Sequence, residues 1–399
     1  MTIDRLASSY LDRAREISGQ IVGWRRHIHQ HPELGFQEIG TAQYVAAALQ
    51  SLGLSPKTGV GKTGVTADLG PEGGPIVAIR ADMDALPVQE QSGVEYCSLN
   101  PGKMHACGHD SHVAMALGAA AILKDQPLAG RVRFIFQPAE EMEDDEGMSG
   151  AERMAADGVM DGVSAIIGQH VEPSLPAGSV GAAPGPFAAA PDNFHAYIRG
   201  QGTHAAYPHA GLDTIWLASQ VLNAIYAIRD RLVKPSIPAL ITVGIIQGGT
   251  AHNVIPPQVQ ISGTIRTFDQ ASRERMYQAL HQACSIARTF GGDYDLTIIP
   301  GCPPVSNDPV VTALVREEAL ALFGSPAVIG QEPQCGGDDF SIFSTMVPGC
   351  YWSLGSTRPG NDYFECHDPR FRLDEDIFPV GTALLAASAE RLLRHFAGA

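Results

Sequence analysis

The sequence predicts an α/β protein, an open mixed sheet flanked by helices, with a smaller α+β domain inserted into it. Three observations lead there. Apolar strand-like runs alternate with helical patterns through the first half of the chain. After a loop rich in Pro, Gly and Ala at 173–191, the order becomes β-α-β-β-α-β, that of a split βαβ or ferredoxin-like unit. Beyond Pro300 the first style returns and the chain closes on an Ala/Leu-rich helix, Val380 to Phe396. At 399 residues the chain exceeds what one hydrophobic core usually supports. The expected division is 1–186 and 300–399 for the larger domain and 187–299 for the insert.

The elements follow in order. Ile76 to Ile79 reads as a buried strand ending at Arg80-Ala81-Asp82-Met83-Asp84. Asp110 and Ser111 read as caps of a helix through Val113, Met115, Leu117 and Ile122. Val132 to Phe136 is a strand running into Pro138 and two Glu, and Ala165 to Gly168 is another, ending at Gln169-His170. Within the insert, Asn193 to Arg199 is a strand. Asp213 to Leu232 is a helix with Leu217, Val221, Ile225, Ile228 and Leu232 on one stripe. Ile241, Val243 and Ile245 alternate as a strand, as do Val259, Ile261 and Ile265. A helix with Met276, Leu280, Ala283 and Ala287 in register and a strand from Tyr294 to Ile299 complete the unit.

Composition narrows the function classes. The net charge is −16 and no basic block exists, which argues against nucleic acid or an anionic membrane as partner. The longest small-apolar run, Val113 to Leu123, is too short to span a bilayer, and the charged amphipathic stretch from Met1 to Gly23 lacks a signal core. Seven Cys at irregular spacing suit a reducing compartment, so a cytoplasmic protein is expected.

The chemistry concentrates at the carboxyl ends of the predicted strands, the edge where open α/β sheets hold ligands. Cys107-Gly108-His109 presents a thiol and an imidazole on a loop that Gly108 allows to turn. Glu140 and Glu141, His170 and His367 add carboxylate and imidazole donors. Five side chains of three ligand types, with water, suffice for two first-row metal ions. Two adjacent carboxylates suit metal-assisted hydrolysis, because one binds metal while the other moves protons. Glu140 through Glu146 holds six carboxylates in seven residues. Glu143, Asp144, Asp145 and Glu146 read as a solvated acidic loop. Asp82 and Asp84 share a face and are read either as a turn or as support for a ligand His. His27, His29 and His31 read as surface or capping residues. In the insert, Gly200 to His209 presents His204 and His209. Gly248 to Asn253 presents His252 and Asn253, so the two loops read as a polar lid with donors for an oxyanion or a substrate carboxylate.

Together these segments resemble the dinuclear metal-dependent amidohydrolases of the aminoacylase and carboxypeptidase superfamily. The likeness is greatest to the branch of hippurate hydrolase and the indole-3-acetyl-amino-acid hydrolases. It spans R-R-H-I-H-Q-H-P-E-L-G-F at 25–36, R-A-D-M-D-A-L-P at 80–87, M-H-A-C-G-H-D at 104–110 and Q-P-A-E-E at 137–141. It continues through G-Q-H-V at 168–171, H-A-A-Y-P-H at 204–209, H-N-V-I-P at 252–256 and E-C-H-D-P-R-F at 365–371. The resemblance implies a metallopeptidase-like fold whose insert serves as lid and dimerisation domain. It implies Cys107, His109, Glu141, His170 and His367 as ligands of two divalent ions (Zn, Mn, Co or Ni), and Glu140 as general base and acid toward a metal-activated water. Asp84 supports the site, His204 holds the oxyanion, commonly from a partner subunit, and Asn253 and His209 are assigned to substrate. The implied reaction releases a carboxylic acid and a free amino acid from an N-acyl amino acid, in a homodimer. A dipeptidase or carboxypeptidase on the same scaffold and a metal-binding protein without turnover are the competing readings. One departure stands out: Cys335-Gly336-Gly337-Asp338-Asp339-Phe340 carries Asp338 where the branch usually has Glu.

Overall fold

The computed structural model describes residues 3–358, 360 and 362–398. Met1 and Thr2 of the amphipathic N-terminal stretch lie outside the described residues. The chain divides into two units, residues 1–187, 306–332 and 339–399 in one and residues 188–305 and 333–338 in the other.

The first unit opens with three helices, α1 (Ile3–Glu16), α2 (Ser18–Gln30) and α3 (Ile39–Ser51). Strands β1 (Lys57–Val60), β2 (Gly64–Leu69) and β3 (Ile76–Asp82) follow, then α4 (His109–Leu123), β4 (Arg131–Gln137), α5 (Gly150–Ala156), β5 (Val163–Pro176), β6 (Val180–Gly181) and the short β7 (Gly185–Ala188). The second unit supplies β8 (Ala190–Arg199), β9 (Thr203–His204), α6 (Thr214–Leu232), β10 (Ala239–Gln247), β11 (Val254–Ile255), β12 (Gln258–Thr267), α7 (Gln270–Thr289) and β13 (Asp293–Ile299). The chain then completes the first unit with β14 (Val305–Asn307), α8 (Pro309–Phe323), β15 (Val328–Ile329), α9 (Phe340–Met346), β16 (Gly349–Thr357) and α10 (Phe378–Ala397).

The large sheet runs β1-β2-β4-β3-β5-β16-β6-β15, with β4, β3, β5 and β16 mutually parallel and β1 and β2 antiparallel at one side. All seven residues of β3 and the first eight of β16 are buried, as parallel strands covered on both faces must be. Packed on this sheet, α4 is apolar on every side, and all but one of its fifteen residues are buried. Its small residues let α10 come close: a Cβ on Gly118 would meet Thr382 Cγ2 at 2.8 Å. The four parallel strands therefore end at one edge, and the N-terminus of α4 starts there.

Two elements depart from the sequence expectation. Helix α4 begins at His109, one residue before the expected caps, with Gly108 at the N-cap in the left-handed region (φ 85°). Strand β5 continues to Pro176, so His170 lies inside the strand rather than beyond it. The parallel partner β16, which pairs Ser353 with His170 and Leu354 with Val171, carries the ladder on.

The second unit is a four-stranded antiparallel sheet, β10-β12-β8-β13, covered by α6 and α7. Asp213 and Asp269 cap the two helices through backbone N–H groups. Leu217, Val221, Ile225 and Ile228 of α6 and Met276, Leu280, Ala283 and Ala287 of α7 bury against Phe194, Ile198, Ile261 and Ile265. Leu232, at the end of the α6 stripe, stays exposed.

Candidate metal centre

Four segments of the first unit bring donors to the carboxyl edge of the parallel strands. Cys107 and His109 come from the loop and first turn of α4, and Glu140 and Glu141 from the segment after β4. His170 comes from β5 and His367 from the loop before α10. Cys107, His109 and His170 place one donor atom each within 4.8 Å of the others; so do Cys107, Glu141 and His367, and so do His109, Glu140 and Glu141. The three groups share members and form one cluster. Within it Cys107 Sγ is 3.3 Å from His170 Nε2, and His367 Nε2 is 3.0 Å from Glu141 Oε1.

Local backbone geometry aims these side chains. Gly108 permits the left-handed turn between Cys107 and His109, and a Cβ there would strike Val171 Cγ2 at 2.4 Å. Ala139 (φ 43°), which precedes Glu140, and His367 (φ 74°), itself in the cluster, are non-glycine residues in the left-handed region. Ala139 is held on both sides: its N–H donates to Glu38 Oε1 at 2.8 Å and its carbonyl accepts from Gly150 at 2.9 Å. His367 donates its backbone N–H to the Ala106 carbonyl at 2.8 Å, which ties the C-terminal loop to the Cys107 loop.

The donors are chemically poised for a cation. His109 Nδ1 faces the Asp84 carbonyl at 3.0 Å and Asp84 Oδ1 at 3.2 Å, so its Nε2 points to the cluster. That Nε2 is buried without a hydrogen-bond partner among the described residues, with Asp82 Oδ2 3.8 Å away. Burial alone would lower the His109 pKa, but Asp82, Asp84 and Glu141 hold it up at about 10, so the surrounding carboxylates favour positive charge at this point. Burial likewise works against the charge on Glu141, yet His367 and His109 keep its carboxyl below the usual range. Contact with the Cys366 thiol, then burial and the nearby Glu141 and Glu140, hold the Cys107 thiol well above its ordinary value. A soft thiol, imidazoles and carboxylates around one buried orphan nitrogen fit two divalent first-row ions.

Asp82, His109 and His112 form a further group of mutually close donors, but it is committed elsewhere. Asp82 pairs with Arg80, and His112 spends Nδ1 on Asp82 Oδ1 (2.6 Å) and Nε2 on the backbone N–H of Val171 (3.0 Å). Burial pushes the His112 pKa down to about 4, leaving the ring neutral.

Several residues given no role in the sequence hold the site from behind. Arg80 donates to Gln137 (2.8 Å), Asp82, Asp339 (2.9 Å) and Tyr351 (3.1 Å), and Gln137 Nε2 donates to Asp339 at 2.7 Å. Arg80 and Gln137 flank the site carboxylates within the same strand-end motifs, and that adjacency was the available signal. His29, expected at the surface, is buried: Nδ1 lies 2.7 Å from Asp110 Oδ2 and Nε2 lies 3.0 Å from Glu90. Asp110, expected to cap α4, instead pairs in its first turn with Arg25 Nε at 2.7 Å as well. His27 and His31 are exposed as expected. Asp144, expected in a solvated loop, is nearly buried between Lys62 and Arg153 and accepts from the backbone of Glu146 and Met148. In the second unit His204, His209, His252 and Asn253 are exposed, and β9 pairs His204 with Val254 of β11.

Known proteins resemble this chain over most of its length. The model of the peptidase family M20/M25/M40 matches residues 78–391. N-acetyl-L-cysteine deacetylase of Bacillus subtilis is 41% identical over 378 residues, 94% of this chain and 88% of that protein. An indole-3-acetyl (IAA)-amino acid hydrolase of the ILR1-like group from Arabidopsis thaliana is 36% identical, covering 98% of this chain and 90% of its own. Among solved structures, a dinuclear metal binding peptidase of the M20 family from Bacillus subtilis superposes with a TM-score of 0.83 at 35% identity, covering 95% of this chain and 99% of that one. Among the described residues, no helix is long and apolar enough to cross a membrane.

Proposed function

This chain belongs to the peptidase family M20/M25/M40 and is a metal-dependent hydrolase acting on amides; on that premise we propose that it cleaves N-acyl amino acids to a carboxylic acid and a free amino acid. The observation that carries the reading is the shared cluster of Cys107, His109, Glu141, His170 and His367, with Glu140 grouped with His109 and Glu141 in it. These five would hold two divalent ions, and the thiolate-imidazole-carboxylate set is compatible with Zn, Mn, Co or Ni. When bound, the ions supply Lewis acidity for the amide carbonyl and lower the pKa of water.

The chain's own residues do the rest. Glu140, next to the ligand Glu141 but left to move protons, takes a proton from the attacking water and returns it to the departing amine. Asp84 fixes the His109 ring so that Nε2 stays a donor to metal. Cys107 gives up its proton on metal loading, so binding is coupled to proton release. We assign His204 to the developing oxyanion and Asn253 and His209 to the substrate, on the strength of their exposure on adjoining loops of the second unit. That unit is assigned the roles of lid and of dimer contact.

The test is release of free amine from a panel of aryl and aliphatic N-acyl amino acids, with dipeptides alongside, by metal-stripped protein reloaded with Mn or Zn. Metal-dependent release from an N-acyl member is expected. Release from dipeptides alone would replace this reading with a dipeptidase, and full loading with no release would replace it with a binding role.

A further inference from the structure

We infer that His112 is a positioning residue for His170, acting through the backbone of Val171. This inference rests on the assignment of His170 as a metal ligand.

The argument begins with where the ladder stops. Strand β3 pairs with β5 up to Arg80 opposite Gly168 and ends at Asp82, while β5 runs on through His170 and Val171. Past Gly168, therefore, the β3 side of β5 lacks a strand to accept its N–H groups, and a buried unmatched N–H is costly. His112, one turn into α4, fills the gap: its Nε2 accepts the Val171 N–H at 3.0 Å. The last residue of β3 holds the other end of the ring, since Asp82 Oδ1 is 2.6 Å from His112 Nδ1.

Donor and acceptor logic then fixes every proton in the chain. A backbone N–H only donates, so His112 Nε2 carries no hydrogen. A carboxylate only accepts, so His112 Nδ1 carries one. In an extended strand the N–H and C=O of one residue point to the same side, and the Val171 carbonyl lies 2.7 Å from His170 Nδ1. That carbonyl only accepts, so His170 Nδ1 is protonated and its Nε2, 3.3 Å from Cys107 Sγ, presents a lone pair to the cluster. Arg80 completes the relay by pinning Asp82, and both rings are confined: His112 and His170 have centroids 4.8 Å apart at 64°. From His170 through Val171 and His112 the hydrogen bonds thus run one way into Asp82, which also accepts from Arg80, and their product is a defined tautomer at a metal-facing nitrogen.

The decisive experiment separates the two nitrogens of His112. His112→Asn keeps a donor near Asp82 and removes the acceptor for Val171; His112→Gln reaches Val171 with its amide oxygen. Metal-stripped wild type, both variants and His170→Ala are titrated with cobalt(II) chloride, following the Cys107 thiolate-to-cobalt absorption and the number of ions bound. His112→Asn is expected to weaken one of the two sites about 10- to 100-fold, leaving the other unchanged, and His112→Gln to recover most of it. Wild-type affinity at both sites in His112→Asn overturns the inference, as does equal loss in both variants. Two ions bound at wild-type affinity by His170→Ala would instead remove His170 from the ligand set. Nitrogen-15 spectra of histidine-labelled wild type need no variant to fold: a His112 signal of the Nδ1–H tautomer is expected, and Nε2–H would overturn the inference.

Discussion

Asp84 divides its carboxylate between two parts of the site: Oδ1 lies 3.2 Å from Nδ1 of His109, and Oδ2 accepts the backbone N–H of Glu141 at 3.0 Å. One buried side chain thereby sets the ring of one proposed ligand and the backbone of another, although they sit on α4 and after β4. The negative charge also favours the Nδ1–H tautomer that leaves Nε2 to the metal. Asp84→Asn, nearly the same shape, should retain the fold yet bind metal about 10- to 100-fold more weakly. Competition against a chromogenic chelator measures this, and unchanged affinity would reduce Asp84 to a structural turn.

Glu140 and Glu141 are neighbours to which the proposed mechanism gives different tasks. Glu140→Gln should keep two ions per chain and lose turnover by about 100- to 10,000-fold, the range expected for removal of a general acid-base group. Metal analysis beside steady-state rates separates the effects. A variant with near-normal kcat would take the proton-transfer role away from Glu140.

What could be read in advance tracks sequence distance. Cys107 and His109 were visible because Gly108 between them signals a turn, and Glu140 and Glu141 because a strand ends just before them. His29 was not, because its burial is created by Glu90 and Asp110, 61 and 81 positions away. Asp339 meets Gln137 across 202 positions, so its part in supporting Arg80 had no local trace. The extent of β5 was hidden for the same reason, since the ladder that prolongs it comes from β16. The helical stripes of α6 and α7 were legible because a 3.6-residue period is a local property.

Gly108 combines a left-handed backbone with a Cβ position 2.4 Å from Val171 Cγ2. Gly108→Ala should cost about 2–4 kcal/mol, from the left-handed conformation and the forced shift together. Because Val171 follows His170, the displacement should also lower metal affinity. Thermal unfolding of metal-free protein isolates the first effect, and a Tm within a degree of wild type would contradict it.

Glu318 on α8 offers a pH test remote from the candidate metal centre. Its side chain is 8% exposed and its carboxylate lies 3.7 Å from Arg391 Nε on α10. Burial raises its pKa to about 7 against an ordinary 4.5; Arg391 and Arg394 oppose the shift, while Glu390 and Glu317 add to it. The folded protein thus holds a proton that the unfolded chain releases between those values. Stability from this group is greatest at low pH and is lost as pH rises from about 4.5 to about 7, about 3 kcal/mol in all. Above that window the penalty is constant, and a neutral amide escapes it. Glu318→Gln should therefore raise Tm at pH 8 and change it little at pH 5. An equal Tm difference at both pH values would mean that Glu318 is charged in the folded protein throughout.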